Sequence, residues 1–248
     1  MLIRYTLTLR QEGSEGRPQA EWAYRLYAAL LAQAPSGFAE RVHDNAITPL
    51  SQFLTINGED LIWRVTLLGE ESRAALEPVL AGQETYRLMR DRAILQVVRR
   101  EWEEIADVDA LFARSADLSG RHRLEFRTPT AFKSQKQYCI LPTGRLVLQS
   151  LIGKWNGSFP ACPIEDEDGA GLDAMAGGLV CSGMALHDCA YSVKGRRIPG
   201  FVGSLTWENR LTGFHRTLTD ALLLFSGYAG LGIKTTLGMG GVLWQTIE

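Results

Sequence analysis

The chain has 248 residues, 46% of them hydrophobic and 22% charged, with a formal net charge of −2. That is the composition of a globular protein with a real core, long enough for one domain or two. No uncharged apolar run approaches a membrane span, and Met1–Leu7 reads as a strand, not a signal peptide, so cytoplasmic residence is expected. Cys139, Cys162, Cys181 and Cys189 form no C-x-x-C pair and no zinc spacing; even beside His187, Cys189 reads as a reduced core thiol.

Leu2–Arg10 alternates apolar and polar residues and predicts a strand. Pro18 and Gln19 open a predicted helix on which Trp22, Leu26, Ala29, Leu30 and Ala34 share a face. Leu50–Ile56 and Leu61–Leu68 read as strands flanking the turn Asn57–Gly58. Glu70–Leu80 reads as a helix, Thr85–Met89 as a short strand and Ala93–Arg100 as a longer one. The acidic segment Glu101–Arg114 is expected to be helical. Beyond it come strand Arg121–Arg127, helix Gly144–Trp155, and strands near Gly178–Ser192 and Phe201–Trp207. Helix His215–Phe225 and strand Gly241–Ile247 follow. The order β-α-β-β-α-β thus occurs twice. It predicts an α+β fold of two tandem ferredoxin-like (RRM-like) domains, each a four-stranded antiparallel sheet backed by two helices. The boundary is expected within Ser115–Gly120, giving domains 1–118 and 119–248. Glu165–Gly171 lacks EF-hand spacing and is read as a solvated connection.

Net charge alone does not advertise nucleic-acid binding, but its distribution does more. Residues 1–118 carry 13 arginines, no lysine and 18 acids; residues 119–248 carry 13 basic residues against 10 acids. Arg121, Arg123, Arg127, Lys133 and Lys136 cluster within sixteen residues, and Lys194, Arg196 and Arg197 form a second knot. Between Gly227 and Gly241 lie six glycines, Lys234, Thr235 and Thr236. Such a loop can turn backbone N–H groups toward phosphate oxygens. It is neither a P-loop, because Ile233 separates Gly232 from Lys234, nor a dinucleotide fingerprint, because Thr235 stands where a third glycine belongs. A polynucleotide backbone cradled beside a sheet fits better. Gly230, Gly232, Gly238 and Gly240 are expected to need positive φ or close approach to RNA, and a substitution at Leu231 to be better tolerated than valine at Gly238 or Gly240.

The position and spelling of this loop resemble the C-terminal glycine-rich loop of the CRISPR-associated endoribonucleases that process CRISPR precursor RNA, in the RAMP superfamily. Phe126–Lys133, with its Thr-Pro-Thr-Ala-Phe core, is similar to the family's strand-end segment. Leu151–Asn156, which contains Lys154, is similar to its following helix, and Ile198–Gly203 to the strand before its last helix. The resemblance implies RNA contacts by these basic residues, Lys154, Lys234, Thr235 and the four glycines. It is looser in the N-terminal half, through Tyr24, Tyr27 and His43.

Cutting RNA without a metal needs a base for the ribose 2′-OH, a proton donor for the 5′ oxygen, and positive charge at the phosphate. Histidine suits the first two roles. Of four histidines, His122 and His187 read as strand residues and His215 opens the last helix; His43 lies at the connection after the first helix. The resembled family places its catalytic histidine in that segment and a catalytic tyrosine on the preceding helix. Tyr24 and Tyr27, spaced i, i+3, point off one side of that helix. Some relatives add a lysine soon after the histidine, whereas here the first lysine is Lys133. Arg41 is the candidate for charge, and Ser51 or Gln52 for a hydrogen bond.

The resemblance implies a metal-independent endoribonuclease acting on CRISPR repeat RNA, with no cofactor. The alternative is a non-cleaving guide-RNA scaffold. An effector complex and a second copy of the chain stay open as partners, and no membrane partner is expected.

Overall fold

The computed structural model describes residues 1–13, 17–43 and 50–248; of His43 it describes the backbone and not the side chain. The first half runs β1 (Leu2–Glu12), α1 (Trp22–Leu31), α2 (Ser36–His43), β2 (Leu50–Asn57), β3 (Asp60–Leu68), α3 (Glu70–Gly82), β4 (Thr85–Leu88) and β5 (Ala93–Ile105). Helix α4 (Val108–Ser115) links it to β6 (Arg121–Thr130), the hairpin β7 (Phe132–Ser134) and β8 (Gln137–Cys139), α5 (Gly144–Ser158) and α6 (Ala170–Gly178). Then come β9 (Leu179–Val193), β10 (Arg196–Asn209), α7 (Gly213–Ala229), a 3₁₀ turn (Thr235–Leu237) and β11 (Val242–Thr246).

Two antiparallel sheets follow from this order, β2-β3-β1-β5-β4 and β11-β6-β10-β9. Both contain the ferredoxin-like arrangement, in which the two central strands are the first and third of the unit. Alternation sets the faces. Ile3, Tyr5, Leu7 and Leu9 of β1 are buried with Trp22, Leu26 and Leu30 of α1 and Leu76 and Leu80 of α3. Leu124 and Phe126 of β6 join Val147, Leu151 and Trp155 of α5 and Leu222 and Phe225 of α7 in a second core. Leu2, Leu68, Ile105 and Leu111 also belong to that second core, so α4 and one end of the first sheet pack into the C-terminal half.

Helix α7 is the joint. Every residue from Leu218 to Ala229 is buried, the polar Thr219, Asp220 and Ser226 included. Arg4 on β1 donates to the Gly227 carbonyl at 2.8 Å and stacks over the Tyr228 ring, and Ser51 on β2 donates to the Tyr228 carbonyl. The end of α7 is therefore clamped to the first sheet. The glycine-rich loop that follows starts at the seam between the halves.

Several expectations need correction. The first sheet has five strands, not four, because β4 adds an edge. Glu101–Ile105 is strand, not helix: Glu103 pairs with Arg4 and Trp102 with Tyr5 across the β1 ladder, and that pairing overrides local propensity. The first hairpin turns at Gly58–Glu59, with Asn57 paired to Asp60 and Gly58 at φ +62°. Helix α1 begins at Trp22, after Pro18 and Gln19. The acidic segment after Glu165 is the exposed connection expected, and its Asp166 accepts the Gly171 and Leu172 N–H groups that open α6.

Candidate nucleic-acid interface and cleavage site

The glycine-rich loop is built by the segments that frame it. Gly241 N–H donates to Thr128 Oγ1 at 2.9 Å, Gly240 N–H to the Pro129 carbonyl at 3.0 Å, and Ile233 N–H to the Ala131 carbonyl at 2.9 Å. Gly232 N–H donates to Ser150 Oγ on α5 at 2.9 Å, and Leu231 N–H to the Gly240 carbonyl at 2.9 Å. From the first sheet, Gln52 donates to both the Ala23 and Thr236 carbonyls at 3.0 Å and accepts from Trp63 Nε1 at 2.8 Å. One buried amide thus ties α1, β2, β3 and the loop together.

This changes the reading of the loop. All four predicted glycines have positive φ, but the close approach is to the protein itself. A Cβ at Gly240 would lie 2.0 Å from the Leu231 carbonyl oxygen, and one at Gly238 would lie 2.6 Å from Ala23 Cβ. The amides of Leu231, Gly232, Ile233, Gly240 and Gly241 are likewise spent internally rather than displayed to phosphate. Leu231 is fully buried in the C-terminal core, so its substitution carries a packing cost of its own. Thr235 is buried too, while Lys234 is exposed and lies in the left-handed region at φ +56°.

The basic residues separate into three places. Arg121, Arg123 and Arg127 lie on the β6 face opposite the buried His122, Leu124 and Phe126. Arg123 and Arg127 both engage Glu125, and Arg123 and Arg127 help line a shallow cavity with His187 and Gly203. Arg196 and Arg197 are exposed at the start of β10. Their neighbour Lys194 borders a groove of about 1130 Å³ that also takes in Tyr24, Arg25, Arg87 and Arg90. Lys133 on β7 and Lys154 on α5 line a third cavity, of about 340 Å³, beside Gly232 and Ile233. Lys136, exposed at the β7–β8 turn, lies in the left-handed region at φ +66°. Lys154 donates to Thr235 Oγ1 at 2.7 Å, and burial lowers its ammonium pKa to about 8.

The proposed cleavage residues are brought together only in part. His43 closes α2, and its side chain lies outside the described residues. Arg41, one half-turn earlier, is committed to Glu71 at the start of α3, with Nε to Oε1 at 2.7 Å. Tyr27 is buried in the first core, and burial pushes its hydroxyl up to about 12. Tyr24 is half-buried on the groove side, with Lys194 Nζ 5.6 Å above its ring. Ser51 and Gln52 are buried and donate to carbonyls, so neither is free to serve as a donor to substrate. His122 is also structural: fully buried, it lies 2.7 Å from Asp220 and accepts from Trp244 Nε1. Ser150 and Thr128 carry no sequence signal for their part in the loop; only the folded contact reveals it.

The architecture is that of the tandem ferredoxin-like proteins, with a glycine-rich loop locked into the seam between the two sheets. A family model for "CRISPR-associated endoribonuclease Cas6" matches residues 124–242. A Cas6 endoribonuclease of Mycobacterium tuberculosis is 30% identical over 256 aligned residues, covering 99% of this chain and 79% of that protein. One from Streptococcus thermophilus is 30% identical over 226, covering 91% and 92%. A solved Cas6 product complex superposes with a TM-score of 0.78 at 24% identity over 99% of this chain and 100% of that one, a likeness of fold. The chain belongs to the CRISPR-associated endoribonuclease Cas6 family.

Proposed function

We propose that this chain cleaves CRISPR repeat transcripts into guide RNAs by a metal-independent route. The observation that carries the reading is its similarity to Cas6 endoribonucleases over nearly its whole length. The division of labour follows the two sheets: residues 1–118 contribute the base, and residues 119–248 hold the RNA with the loop and the three basic regions. His43 takes the proton from a ribose 2′-OH, whose oxygen attacks the adjacent phosphorus. The P–O5′ bond breaks, a proton is delivered to the leaving oxygen, and the products carry a 2′,3′-cyclic phosphate and a 5′-OH. Tyr24 is the better placed tyrosine, because Tyr27 is buried. The protein acts in the cytoplasm.

The scaffold reading draws support from the same site. Arg41 is paired, and Ser51 and Gln52 are spent on the protein's own backbone. Incubating the protein with repeat RNA in EDTA separates the readings. Cleavage there, abolished by a single 2′-deoxy substitution upstream of the cut, supports the ribonuclease. Binding without cleavage supports the scaffold.

A further inference from the structure

Lys154 is a cation without a counter-ion. Its ammonium has three donors, one of which is given to Thr235 Oγ1. Among the described residues no carboxylate forms an ion pair with it, and burial is the sole cause of its lowered pKa. Several arginines elsewhere in the protein are paired: Arg4 with Glu103, Arg41 with Glu71, Arg73 with Glu77 and Glu104. Lys154 is half-buried along its length, and drawing a charged group even partly out of water without a partner is costly; such groups gather at functional sites.

The cavity that Lys154 lines has the matching chemistry. It lies between β7, α5 and the glycine-rich loop, has a volume of about 340 Å³, and is lined by no acid among the described residues. Lys133 stands at its mouth, exposed. Ser150 Oγ already accepts the Gly232 N–H, which leaves its own O–H to donate. Gln149 adds an exposed amide, and Leu146, Phe132 and Ile233 supply an apolar wall.

We propose that this cavity is a subsite for one phosphodiester of a bound RNA strand, with the Lys154 ammonium as its counter-ion, Lys133 at its mouth and the Ser150 hydroxyl as a hydrogen-bond donor. The inference deepens the repeat-RNA reading and rests on it. The competing role is purely structural, with Lys154 propping Thr235 and hence the loop.

Repeat RNAs carrying one neutral methylphosphonate at successive positions distinguish the two. The parent protein should lose affinity at one position served by this cavity. In Lys154→Met that position should become silent, and the log–log salt dependence of binding should flatten by about 0.7, the value for one phosphate contact on a single strand. A loss through the prop alone would weaken binding at every position and leave the methylphosphonate-sensitive position in Lys154→Met as it is in the parent. If Lys154→Met does not fold, Lys133→Met carries the same readouts from the exposed mouth. The subsite alone is overturned if the lysine variant keeps the parent's phosphate profile and slope, whatever its overall affinity. A parent that binds no repeat RNA overturns the functional reading and the subsite with it.

Discussion

His122 on β6 and Asp220 on α7 meet at 2.7 Å with both side chains buried. Trp244 Nε1, a donor only, points at His122 Nδ1 at 3.0 Å. That nitrogen must therefore be bare, and the proton sits on Nε2, donated to Asp220. Asn209 Nδ2 also donates to Asp220 at 2.7 Å. The network pins β6, β10, α7 and β11 together. Asp220→Ala leaves two buried donors without an acceptor and should cost about 3 kcal/mol. Urea unfolding measures it, and a loss below 1 kcal/mol, on the order of one ordinary hydrogen bond, would show the network to be dispensable.

Gly240→Val should be severe. Its φ of +66° is closed to a β-branched residue, and the added Cβ would strike the Leu231 carbonyl. The variant is expected in the insoluble fraction, or with thermal unfolding well below the parent's. Leu231→Ala should cost about 2–5 kcal/mol as an ordinary core truncation. A Gly240→Val protein that melts like the parent would mean the loop is not locked in place.

A positioned general base is worth about 10²–10⁴ in rate. His43→Ala should slow cleavage by that factor while leaving repeat-RNA affinity near the parental value. Tyr24→Phe should cost less, and Tyr27→Phe least, because the Tyr27 ring is buried and its hydroxyl is held in the neutral form. Single-turnover cleavage decides the ranking. Parental rates in the His43 variant would remove the histidine from the mechanism.

Lys154 should make RNA binding pH-dependent. Its pKa falls from an ordinary 10.5 to about 8 in the folded protein. Between those values the unfolded chain holds the extra proton, so this group makes stability rise with pH from about 8 to about 10.5. RNA binding should move the other way, since the neutral amine cannot pair with phosphate. Affinity should decline as pH rises through 8, while Lys154→Arg, charged throughout, should show a flatter profile. An unchanged profile in the arginine variant would assign the decline to another group.

Much of the frame was legible in the sequence because it follows from local periodicity. The two βαββαβ orders came from alternation of period two and stripes of period 3.6, and the loop's positive-φ positions came from its glycines. What failed were features decided by partners distant in the chain. Glu101–Ile105 reads as helix until β1 is laid beside it. Ser51 and Gln52 look available until the ends of α7 and the loop arrive to take their hydrogen bonds. Leu231 looks like a loop residue until the fold buries it. The clearest case is Lys154, whose residue type and helix were readable. Its lack of a counter-ion was not, because that depends on what more than seventy positions of intervening chain place around the ammonium, and burial and charge pairing are properties of the packed whole.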